Sequence, residues 1–293
     1  MADTLERPAA QPDRPRASPR RIRRRRGNPL IRWTLRLVAV VYVAALVALP
    51  VFTVTKETFG NGLDPVLEAV SSPDFVAAVK LTLLVAGLAV LLNTVFGLAV
   101  SYLLVRYRFP GRGLLNTVID LPVSISPVVV GLALILVYGT TGWFGTDLES
   151  VGIQIIFSTP GMVIATVVVA LPLVVREIIP VLEEAGLDQD QAAQSLGANA
   201  VQRFLRITLP TIKWALAYGV VLSLARSLGE FGAVRVVSSS IAQESQTVTL
   251  YINDQYQEFG PKPEQAAFAA AFTLMITAIV FIAIIAALRP KDK

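Results

Sequence analysis

Residues 81–105 read LTLLVAGLAVLLNTVFGLAVSYLLV, an unbroken run without a single charged side chain. Coiled at about 1.5 Å per residue, such a run is long enough to cross the roughly 30 Å hydrocarbon core of a bilayer. Five more stretches have the required length and apolar content: Thr34–Thr55, Leu114–Tyr138, Pro160–Ile179, Trp214–Val237 and Ala266–Leu288. A chain immersed in lipid must satisfy its backbone hydrogen bonds internally, so each stretch is expected to be a helix. The sequence thus predicts an all-α integral membrane protein with six transmembrane helices. Its first span, residues 33–56, is longer than a signal-peptide core and lacks a small-x-small cleavage pattern, so it reads as a retained anchor.

Composition supports the same class. Of 293 residues, 54% are hydrophobic and only 16% charged, and both histidine and cysteine are absent. Their absence removes His/Cys metal sites, Ser-His and Cys-His nucleophilic pairs, disulfides and thiol redox chemistry. No G-x-x-x-x-G-K-[ST] phosphate loop occurs, so no nucleotide is expected on this chain. Catalytic residues and resident metals are accordingly expected to be none.

Charge is placed unevenly. Residues 1–32 carry ten arginines against Asp3, Glu6 and Asp13, whereas the rest of the chain is slightly acidic. This proline-rich segment cannot bury a core and is expected to be a disordered cytoplasmic tail. Nucleic-acid binding is one reading of its arginine run, but a position just before the first span favours holding the N-terminus in the cytoplasm. With that orientation Arg106, Arg108, Arg112, Arg203, Arg206 and Lys213 fall on the cytoplasmic side, opposite Lys56, Lys80 and Lys262. Six spans return the C-terminal residues 289–293 to the cytoplasm, which predicts a multi-pass cell-membrane protein with both termini inside.

The longest cytoplasmic connection, residues 180–213, carries structural signals. Asp188 and Gln191 have capping-box spacing, a short helix is expected from Gln189 to Leu196, and Gly197 sits where a left-handed residue would close it. Asn199 and Gln202 repeat the cap spacing before a second helix with Val201, Phe204, Leu205 and Thr208 on one face. The first helix is too short to be stable alone in water. It offers Ala192, Ala193 and Leu196 as a flat apolar face. Packing against its own membrane domain and docking to a partner both fit that spacing.

Gln191-Ala192-Ala193, then Gly197, then Ile207-x-Leu209-Pro210 resembles the EAA loop of ABC-importer permeases, with Gln191 in place of the leading Glu. The resemblance implies a type I importer permease fold over residues 75–288. It also implies that Gln191, Ala192, Ala193, Leu196, Gly197 and Ala198 form a coupling helix docked on an ATP-binding subunit. Two more segments, Asp120–Gly131 and Ala225–Val234, resemble permeases of oxyanion importers, and Gln246–Leu250 looks most like the W-type subunit of sulfate importers. By that resemblance the chain is a permease subunit importing sulfate or thiosulfate by alternating access. Its implied partners are a pair of ATPase subunits holding ATP and Mg, a second related permease, an extracytoplasmic sulfate-binding protein and the lipid bilayer, with no nucleic acid. A molybdate or tungstate importer shares the Gly-Glu-Phe-Gly segment, and a stand-alone ion-coupled transporter is the competing class.

Four residues within the spans are candidates for a translocation path or gate. Pro122 and Pro127 each delete a helix N–H, so Ser124 and Ser126 either repair the loosened turn or present hydroxyls to a solute. Arg226 and Glu230 stand i,i+4 within a span, where ionisable groups face a bundle interior or a water path. They line or gate an anion route, or else form a static pair that fixes packing. Arg235 and Asp120 are expected within polar reach of them.

Overall fold

The computed structural model describes residues 29–288, every one of its regular elements helical. The chain divides into two units, Met1–Pro50 and Val51–Lys293. Helix α1 (Pro29–Phe59) begins four residues inside the expected tail. The rest of that tail and residues 289–293 lie outside the described residues. From Trp33 to Pro50 every side chain of α1 is exposed, the pattern of a helix whose solvent is lipid.

In the second unit the order is α2 (Asp64–Val70), α3 (Pro73–Arg106), α4 (Arg112–Ser124), α5 (Pro127–Tyr138), α6 (Gly145–Ser150) and α7 (Thr159–Ala185). Then come α8 (Asp188–Ser195), α9 (Ala200–Arg203), a π-helical turn (Phe204–Thr208), α10 (Leu209–Leu228), α11 (Gly232–Val237), α12 (Val248–Gln257) and α13 (Pro261–Leu288). Helix α7 is the axis of this unit. It packs against α3, α4, α5, α10 and α11, and buries Met162, Ala165, Val174, Val175, Ile178 and Leu182. Polar ties supplement apolar packing where lipid offers no hydrophobic drive: buried Asn93 of α3 donates to the Ser223 hydroxyl of α10 at 3.3 Å. The last turn of α1 meets α13 through the Thr58 hydroxyl on the Phe268 carbonyl (3.0 Å) and through edge-to-face Phe59 and Phe272.

Four expected spans form, each longer than its apolar stretch, but two do not run straight. The stretch Leu114–Tyr138 is broken into α4 and α5, which meet at 118°. Pro127 is the cause: it opens α5 and keeps Ser126, the residue directly before it, out of the helical region, and Ile125 is extended beside it. The stretch Trp214–Val237 stops at Leu228, and after Gly229–Phe231 the chain restarts as α11. Helix α11 packs on α5 so closely that a Cβ on Gly131 would lie 2.7 Å from Val236 Cβ. Among the described residues, five helices are long and apolar enough to cross a membrane, and the bent α4–α5 pair makes a sixth span if its halves are taken together.

Candidate functional site

The loop between α7 and α10 folds into a small helical unit. The expected box at Asp188 does not form, because Asp188 is already helical and Leu187 precedes it without a side-chain cap. Asp188 and Asp190 instead place negative charge in the first turn, where the helix dipole favours it. At the other end Gly197 takes φ +86, with Ala198 N–H on the Ala193 carbonyl (3.0 Å) and Gly197 N–H on that of Gln194 (2.9 Å). This is the Schellman closure that the glycine's position anticipates. Both halves of the Asn199/Gln202 box form, at 2.8 and 3.0 Å.

The expected outward face is open in part. Gln191 and Ala192 are exposed, Ala193 and Ala198 half-buried, and Leu196 is 89% exposed. Within α8 it is Asp190 that turns inward. Its carboxylate meets Arg106 at the end of α3 (3.3 Å), and Arg106 also donates to the Gly186 carbonyl. The two side chains are only 7% and 10% exposed, which makes this a buried ion pair between the short helix and a span. Sequence reasoning counted Arg106 only as a topology signal and did not single out Asp190. The one local hint was an acidic residue beside the apolar Ala192-Ala193 pair. The second helix departs from expectation: the π turn adds a residue to its period, so Thr208 is buried while Val201 and Leu205 are exposed.

Within the spans, Arg226 and Glu230 do pair, at 2.7 Å, but unequally: the carboxylate is 2% exposed and the guanidinium 38%. Glu230 also accepts from Ala233 N–H (2.9 Å), and its carbonyl accepts from the Thr249 hydroxyl (2.8 Å). It therefore holds α10, α11 and α12 together at the break. Neither expected neighbour joins this pair. Asp120 turns to Arg176 of α7, and Arg235 to Asp254 of α12 (3.3 Å), because the breaks redirect both side chains. Ser124 and Ser126 are exposed at the α4–α5 break, and neither hydroxyl bonds to another described residue. They do not repair the turn.

Beyond α11, Asp254 collects hydrogen bonds from Ser240 (2.6 Å), Gln246 (2.8 Å) and Asn253 (3.1 Å). Burial pushes its carboxyl up, but these donors and Arg235 outweigh it and hold the pKa below the usual carboxylate range.

Comparison with known proteins agrees with this architecture. Residues 93–291 match the family described as binding-protein-dependent transport system inner membrane component. The sulfate transport system permease protein CysW of Synechocystis sp. is 47% identical over 250 residues, 85% of this chain and 90% of that protein. The sulfate transport system permease protein CysT of Salmonella typhimurium is 36% identical over 243 residues, 83% and 87% of the two chains. A chain of a bacterial alginate ABC transporter, crystallised with a periplasmic protein bound to an alginate pentasaccharide, superposes with a TM-score of 0.72. It covers 87% of this chain and 92% of its own at 19% identity, a likeness of fold alone. With its apolar helices in the ABC-importer permease fold and these relatives, the chain belongs to the family of inner-membrane components of binding-protein-dependent transport systems.

Proposed function

We propose that this chain is the membrane-spanning permease subunit of an ATP-driven importer that moves sulfate or thiosulfate into the cytoplasm. The observation that carries the reading is the α8 unit: a two-turn helix with an exposed small apolar face, anchored to a span by a buried ion pair. A helix this short is unstable alone, so the anchor holds it in place with its apolar face open to a partner. The choice of sulfate draws on the names of the relatives, CysW and CysT, at 47% and 36% identity.

In this reading the α8 end lies in the cytoplasm, where Arg106, Arg108, Arg112, Arg203, Arg206 and Lys213 collect, and both termini are on that side. A pair of ATPase subunits holds ATP and Mg and presses on Gln191–Ala198. A second, related permease completes the conduit, and an extracytoplasmic binding protein delivers the anion. Closure of the ATPases moves α8, Arg106 carries that motion into α3, and the breaks at Ser124–Ser126 and at Arg226–Glu230 let the spans change their opening. A doubly charged anion cannot cross the apolar core unaided, so a polar route between two bundles is required. Ser124, Ser126 and Arg226 supply polar groups to that route, and Glu230 fixes the frame behind Arg226.

Uptake of radiolabelled sulfate by the reconstituted complex tests the proposal. ATP-dependent accumulation that excess molybdate leaves intact is the expected result. Accumulation blocked by low molybdate would turn the reading to molybdate or tungstate, and uptake without any ATPase would replace it with an ion-coupled carrier.

A further inference from the structure

Helix α4 bears a polar stripe that the apolar character of its span does not explain. Asn116, Asp120 and Ser124 are spaced at i, i+4 and i+8 and so share one face. Asn116 and Asp120 are half-buried, Ser124 exposed. Arg176 of α7 lies against this stripe. Its Nε donates to Asp120 Oδ1 at 2.7 Å, its Nη2 pairs with Asp120 Oδ2, and Nη2 also donates to Asn116 Oδ1 at 3.2 Å.

The level of this group in the bundle is informative. Arg176 stands nine residues, roughly 13 Å of helix, before the end of α7 at Ala185, and within the apolar stretch Pro160–Ile179 near its α8 end. At that depth the pair remains open, with 39% of the Arg176 side chain and 43% of Asp120 exposed. Charged groups left so open in a span do not face acyl chains, because lipid solvates neither partner. This face of α4 and α7 therefore borders water or a second polar bundle.

Asp120 and Asn116 together take the Nε–H and both N–H groups of Nη2, while among the described residues nothing bonds to Nη1 of Arg176. Resting on the transport reading above, we infer that Arg176 is an anion-contacting residue of the route, taking a tetrahedral oxyanion on the free N–H groups of its Nη1. Asp120 and Asn116 aim the fork, and Ser124 lies one turn further along the same stripe. The planar, delocalised and weakly hydrated guanidinium gives up its water to an oxyanion more readily than an ammonium does. The carboxylate on the opposite edge has a second consequence. It offsets the arginine's charge, so a passing dianion is held briefly rather than trapped.

The test uses the complete complex in proteoliposomes with whichever oxyanion the wild type accumulates, so that an error in the ion's identity shows in the wild type alone. Arg176→Gln is expected to cut uptake about tenfold or more, the loss of one charged hydrogen-bonding contact, while ATP hydrolysis stimulated by the loaded binding protein stays near wild type. The double variant Arg176→Met with Asp120→Leu separates contact from packing, because replacing both ends of a static pair by apolar groups is near neutral. If Arg176 contacts the anion, the double variant assembles, hydrolyses ATP and remains deficient in uptake. Recovery of uptake in the double variant would overturn the inference. So would its failure to assemble, which would make the pair a packing tie, and so would normal uptake by Arg176→Gln.

Discussion

Replacing Asp190 by asparagine keeps the shape of the side chain but leaves Arg106 with its charge buried and no ionic partner. Removing one member of a buried pair costs about 3–5 kcal/mol. Here the lower figure applies, since a single 3.3 Å contact joins the groups and neither Asp190 Oδ1 nor Arg106 Nε has a hydrogen-bond partner. The other side-chain tie of α8 to its surroundings, Gln194 to Arg203 at 2.9 Å, is exposed and does not make up the loss. A helix of eight residues has little stability of its own, so the cost falls on local docking rather than on global unfolding. About 3 kcal/mol corresponds to roughly a hundredfold shift toward the undocked state. Amide hydrogen exchange on the complex in lipid nanodiscs reads this directly. Exchange over residues 188–198 should accelerate by about two orders of magnitude, with the centre of α7 unchanged. ATP turnover should continue while uptake per ATP falls. Replacing both Arg106 and Asp190 by leucine should restore most of the protection. Unchanged exchange over 188–198 in Asp190→Asn would refute the argument, because the ion pair would then not be what holds the helix.

Glu230→Gln preserves the acceptor for Ala233 N–H but removes the ionic partner of Arg226; ATP hydrolysis should persist and uptake should fall, whereas uptake at wild-type level would strip the pair of any gating role. Gly131→Leu drives a side chain into Val236 and the Ala233 carbonyl, so the α5–α11 contact should lose about 1–3 kcal/mol, seen as a lowered Tm of the purified complex. For Asp254 the folded-state pKa lies below its ordinary 3.8, so its stabilising contribution is complete above that value and is lost as pH falls through it toward the lowered one. Thermal melts between pH 3 and 6 should therefore show an acid-side loss that Asp254→Asn flattens, and an identical pH profile in the variant would count against the hydrogen-bond set around Asp254.

Much of this molecule is legible locally. The apolar stretches specify helices because lipid permits no other use of an isolated backbone segment. Gly197 and the Asn199/Gln202 box act within one turn of chain, so their spacing alone announces the closure of α8 and the opening of α9. The Arg226–Glu230 pair is likewise an i,i+4 relation that any helix satisfies. Asp120 finding Arg176, and Arg106 finding Asp190 84 positions away, are of another kind. Those partners meet only after α4 and α8 have been set against α7 and α3. Proline chemistry announces that the third span is interrupted, but not the 118° angle between its halves, which depends on how α5 is seated against α11 and α7. Sequence by itself determined the apolar helices, the Gly197 and Asn199/Gln202 caps and the membrane, since each follows from forces acting over a few residues or on total apolar length. Tertiary structure alone decided which distant charges neutralise one another and which nitrogen of Arg176 is left open, since a charge in low dielectric takes the partner that packing brings within reach.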